Sequence, residues 1–81
     1  MDKAEVEQIA VFLAKCHRVV RGWESTDTMS LYLYQLYKVI HRMQSATADR
    51  TDRDTRSALA LAANQARRLR RQIEERLGIR N

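Results

Sequence analysis

Large apolar side chains return at intervals of three and four residues in three separate stretches, and this spacing constrains the fold more than any other feature of the chain. In the first stretch Val6, Ile9, Leu13, Cys16, Val20 and Trp23 follow the pattern, with Phe12 and Val19 widening the stripe on one flank. In the second, Met29, Leu33, Leu36, Ile40 and Met43 do the same, with Tyr32 and Val39 beside them. The third runs through Leu59, Ala62, Ala66, Leu69 and Ile73 to Leu77. A repeat near 3.6 residues gathers each set on one face of an α-helix, whereas a strand would need strict alternation.

The sequence also punctuates these stretches. Asp2, Glu5 and Glu7 stand near the start of the first, and Lys15, Arg18 and Arg21 toward its end, as the helix dipole favours. Gly22 reads as a stop, and Ser25, Thr26, Asp27 and Thr28 are all good N-cap residues for the second stretch. The segment SATADRTDRDTRS, residues 45–57, has no large apolar side chain. Its front half reads as a loop, with Thr51, Asp52 and Asp54 as candidate caps, and Gly78 ends the third stretch as a C′ glycine. Helices are therefore expected at about 2–22, 27–46 and 54–77. Each apolar stripe covers about twenty residues, or roughly 30 Å.

Three equal amphipathic helices, with one tight and one longer connection, predict an all-α, up-down-up three-helix bundle in a single domain, residues 1–81. The first two helices should be antiparallel neighbours. A helical hairpin with a separate third helix is the alternative. Two glycines and no proline exclude a turn-rich all-β domain, and there is no internal repeat or low-complexity tract. The core is expected to be thin, because the third helix offers Ala58, Ala62, Ala63 and Ala66 where larger side chains would bury more area. A bundle of this size commonly gains stability by self-association, so a homodimer is a further expectation.

The net charge of +5 is unevenly placed. Residues 1–45 carry six basic and five acidic groups, while residues 46–81 carry nine arginines and five acids. The surplus suggests a protein or nucleoprotein partner with an acidic surface, or nucleic acid itself. Arginine favours bidentate contacts to phosphate and carboxylate, although a GC-rich genome would also supply it. The single cysteine, Cys16, permits no intrachain disulfide. With no apolar run of membrane-spanning length and an acidic, amphipathic start from Met1, the chain reads as a complete cytoplasmic product that neither crosses nor coats a membrane.

Chemistry-bearing patterns are lacking. Cys16 and His17 diverge by about 100° on a helix, and His41 stands on another, so no metal site is expected. Cys16 lies on the apolar seam, and His17 at its edge is expected to pack against the core. No phosphate loop or acid–base pair stands out, so the expectation is no enzyme, no catalytic residue and no cofactor. The pairs Arg70–Glu74 and Arg71–Glu75 read as solvated surface contacts.

Two faces remain for a partner. On the second helix, Leu31, Tyr34, Lys38 and His41 fall opposite the seam, with Tyr37 on the flank, and such an aromatic stripe reads as an interface. The competing reading drapes the tyrosine rings over neighbouring helices. On the third helix, Asn64, Arg67, Arg68 and Arg71 cover the outer arc, and Arg50, Arg53 and Arg56 extend the charge toward the loop, interrupted by Asp49, Asp52 and Asp54. That surface is a candidate for electrostatic steering or nucleic-acid contact, with a plain solvated face as the competing reading. Arg70 projects into the apolar arc, so its environment should report on an interface or a buried charge. The expected function is a non-catalytic interaction protein, an adaptor, inhibitor or regulator that occludes a surface of a larger protein or nucleoprotein complex. Small phage- or plasmid-type regulators offer a class-level analogy. The alternative is nucleic-acid binding through the Arg-rich third helix.

Overall fold

The computed structural model describes residues 2–22, 24–46 and 53–78, and they form three helices: α1 (Lys3–Arg21), α2 (Thr26–Ala46) and α3 (Arg53–Leu77). The bounds lie within a residue of those expected. Trp23, Thr51, Asp52, Asp49 and Arg50 lie outside the described residues. At the start of α1 the Asp2 carboxylate accepts the Glu5 backbone N–H at 2.9 Å. Of the four candidate caps before α2, Ser25 acts: its Oγ accepts the Thr28 N–H at 3.2 Å and shares a 2.9 Å hydrogen bond with the Thr28 hydroxyl. Gly78 follows α3 with φ +74°, a left-handed conformation that L side chains rarely adopt. Gly22 ends α1 in an extended conformation, its N–H bonded to the Arg18 carbonyl.

The helices run up, down and up. The Glu5 carboxylate near the start of α1 accepts a 2.7 Å bond from Arg42 near the end of α2, which sets those two antiparallel. Arg76 at the end of α3 reaches the end of α1, which sets those two parallel. The three helices pack together as a bundle, but unequally. α3 lies against both α1 and α2 along its length, while α1 and α2 touch each other little despite their short connection.

The core is one continuous cluster. All five expected seam residues of α2 are buried, and Ala46 joins them. On α1 the buried set is Val6, Ile9, Leu13, Cys16 and Val19. This corrects the expected stripe at one point: Val19 is buried and Val20 only half-buried, so the apolar arc turns toward the flank that Val19 shares with Phe12. On α3, Leu59, Ala66 and Ile73 are wholly shielded from solvent, and Ala62 and Leu69 nearly so. Ala58 is exposed instead. The alanines make the third helix central to the bundle, since a short side chain at Ala62 and Ala66 leaves room for two neighbours at once.

Candidate interaction surface

The outer stripe of α2 is built by the same register that fills the core. Leu33, Leu36 and Ile40 face inward, so Leu31, Tyr34, Lys38 and His41 face outward, and all four are exposed. Tyr34 is 58% exposed, and the Lys38 ammonium lies 4.5 Å from its ring centroid. A cation over an aromatic face at an exposed site is attracted by about 0.5–1 kcal/mol, which favours this side-by-side arrangement. Tyr34 and Lys38 therefore form a presented pair.

Tyr37 behaves differently. Its hydroxyl donates a 2.6 Å bond to the Glu74 carboxylate on α3, so this tyrosine does drape over a neighbouring helix. Glu74 is the one buried charged side chain among the described residues, 8% exposed, which corrects the expectation of a solvated Arg70–Glu74 pair. The Arg70 Nε stands 3.8 Å from the same carboxylate oxygen, is shielded from solvent, and has no hydrogen-bond partner. Arg70, projected into the apolar arc, is half-buried, and its charge offsets part of the cost of burying Glu74. The Tyr37 phenol is held above the ordinary tyrosine pKa, first by the hydrogen bond to Glu74, then by burial and the carboxylate's charge, with Arg70 opposing. Periodicity misses Glu74 because no spacing rule distinguishes a carboxylate beneath a tyrosine from one in solvent. The only signal is its position four residues after Arg70, which itself falls in the apolar arc.

The arginine-bearing arc of α3 is exposed as expected: Arg56, Asn64, Arg67, Arg68 and Arg71 all reach solvent. Tyr37, Glu74 and Arg70 lie between this arc and the tyrosine stripe, so two faces expected to be separate adjoin across the α2–α3 seam. Asn64 and Arg68 instead border an open cleft between α1 and α3, with Leu61, Gln65, Gln72 and His17. His17 is exposed there, which corrects the expectation that it packs against the core; the buried line of α1 runs through Leu13 and Cys16, and the imidazole one residue beyond stands at the cleft rim.

Arg76, which no spacing pattern singles out, joins helices. Its Nη1 donates to the Val20 carbonyl at 2.8 Å and its Nη2 to the Gly22 carbonyl at 3.0 Å. A guanidinium fork thereby satisfies the carbonyls that α1 leaves unpaired at its C-terminus, where positive charge also suits the helix dipole.

Cys16 is fully shielded, and burial pushes its thiol up to about 12, partly offset by a backbone hydrogen bond. A thiol so held remains protonated near neutral pH and acts as a small apolar core residue. Among the described residues no group of His, Cys, Asp and Glu is arranged to hold a metal ion, and no helix is long and apolar enough to cross a membrane. What the fold presents is a set of helix faces. No protein-family model matches the chain, and neither the curated proteins nor the solved structures compared with it contain a match.

Proposed function

We propose that this protein is a non-catalytic interaction module, an adaptor or inhibitor that acts by covering a surface of a larger protein or nucleoprotein complex. The observation that carries the reading is the exposed α2 stripe of Leu31, Tyr34, Lys38 and His41, with the Lys38 ammonium 4.5 Å from the Tyr34 ring centroid. Exposed Tyr and Leu on a rigid helix offer contact area at low entropic cost. Tyr37 contributes its exposed ring edge while its hydroxyl is committed to Glu74. Arg67, Arg68 and Arg71 on the adjoining helix would speed encounter with an acidic partner.

The test is capture of a partner from lysate of the native host by the tagged chain, set against Tyr34→Ala and His41→Ala. Both variants should retain the parent's melting temperature and lose most of the captured partner. Undiminished capture by both would remove the stripe from the function.

Direct nucleic-acid binding through α3 is the second reading, supported by the exposed Asn64, Arg67, Arg68 and Arg71. It requires an affinity that falls steeply with salt as counterions are released. An electrophoretic shift lost on reversal of Arg67, Arg68 and Arg71 to Glu would favour it. No shift at micromolar protein in low salt would dismiss it.

A further inference from the structure

We propose that the groove between α1 and α2, on the side facing away from α3, receives an acidic amphipathic helix of a partner protein. The inference rests on the reading of the chain as an interaction module and deepens it: the groove shares Leu31 and Lys38 with the α2 stripe and assigns the docking partner a chemistry.

The groove follows from the way the bundle is built. α3 packs against both other helices, and this holds α1 and α2 apart on their far side. Phe12 and Val39, both half-buried, line a shallow cleft there with Gln35, Lys38 and Arg42. The Phe12 ring stacks on Tyr32 across the gap, with centroids 5.9 Å apart and planes within 5°. Helical register lengthens the site: Leu31, 55% exposed, lies one turn before Gln35, and exposed Lys15 lies one turn after Phe12. A depression between two antiparallel helices fits the side-chain ridge of a third.

The charges select the occupant. Lys38 and Arg42 line the apolar floor and exposed Lys15 stands one turn beyond Phe12; Arg42 shares its charge with Glu5, so Lys15 and Lys38 carry the positive surplus. A helix with an apolar stripe flanked by Glu or Asp complements this arrangement, and one flanked by Lys is repelled. A second copy of the chain does not qualify. In α1, α2 and α3 alike, Lys and Arg outnumber Asp and Glu, so self-docking would bring like charges together.

The experiment is a display selection against the full chain. The library holds helices of about 20 residues, long enough to follow the groove at 1.5 Å per residue. Its apolar stripe is fixed, and the flanking positions are drawn equally from Glu, Lys and Gln. Enrichment of Glu over Lys at the flanks is expected. The selected peptide, synthesised and titrated, should bind roughly tenfold more weakly to a Lys15→Glu, Gln35→Glu double variant. Both positions are exposed and lie outside the tyrosine stripe, so the melting temperature should hold. Amide chemical-shift changes should centre on Phe12, Gln35 and Val39. Four results would overturn the inference: no binder, flanks indifferent to charge, equal affinity for the double variant, or a self-associated chain with the groove closed. Shifts centred on Tyr34 and His41 would also overturn it while leaving the interaction-module reading in place. Loss of that broader reading would show instead as host-partner capture insensitive to every exposed α2 variant.

Discussion

Replacing Tyr37 by Phe removes one oxygen atom and separates two roles that the tyrosines of α2 would otherwise share. The hydroxyl is the hydrogen-bond donor to Glu74, whose carboxylate is 8% exposed and whose other neighbour, Arg70 Nε, stands 3.8 Å away. Losing a donor to a buried charged acceptor costs about 1–3 kcal/mol. Because the Tyr37 residue is 43% exposed, water recovers part of this, and the expected loss is at the low end, about 1 kcal/mol. For a domain of this size, that lowers the melting temperature by about 4–8 °C. Tyr34→Phe is the internal control, since the Tyr34 ring packs with Lys38 and its removal of a hydroxyl should change stability by less than about 0.5 kcal/mol. Circular dichroism melts of both variants at neutral pH provide the comparison. The pH profile adds a second reading. With its folded pKa raised, Tyr37 contributes stability that is fully present below the ordinary tyrosine value of about 10 and is lost as pH rises through the folded value. The gap between parent and Tyr37→Phe should therefore narrow in that alkaline range. If Tyr37→Phe melts with the parent, or both tyrosine variants fall equally, the Tyr37–Glu74 bond does not tie α2 to α3 and the reasoning fails.

Other perturbations test the packing directly. Arg76→Ala takes the guanidinium fork from the Val20 and Gly22 carbonyls and should cost about 1 kcal/mol, with faster amide exchange in the last turn of α1. Unchanged exchange there would show that water caps α1 equally well. Ala66→Leu forces three extra carbons into a site with no exposure, and a loss of about 1–3 kcal/mol in urea unfolding is expected. A neutral result would mean that α3 is not held as closely as its alanines allow. Cys16 should resist a thiol reagent at pH 8 in the folded protein and react quickly once unfolded, given full burial and a thiol pushed up to about 12. Rapid labelling of the native chain would place Cys16 at the surface.

Periodicity was enough to place three helices to within a residue and to identify the seam of α2, because the 3.6-residue turn converts spacing into direction without reference to any partner. The same projection put Leu31, Tyr34, Lys38 and His41 outside and Arg70 within the apolar arc, where it is half-buried. Residues at the flanks of a stripe were another matter. The exchange of Val19 for Val20, the exposure of His17 and the burial of Glu74 each turn on which side of a helix its neighbours approach. Spacing within one helix carries no information about that approach. The alanine-rich helix looked from its composition like the weak member of the bundle, yet it lies against both others because its short side chains permit approach. Its central position then leaves α1 and α2 with an open groove between them, and brings Tyr37, Glu74 and Arg70 to one seam. The order of residues was thus sufficient to say where each side chain points from its own helix. Which surfaces are covered and which are left exposed followed from the packing, since coverage depends on the relative placement of helices that no local pattern encodes.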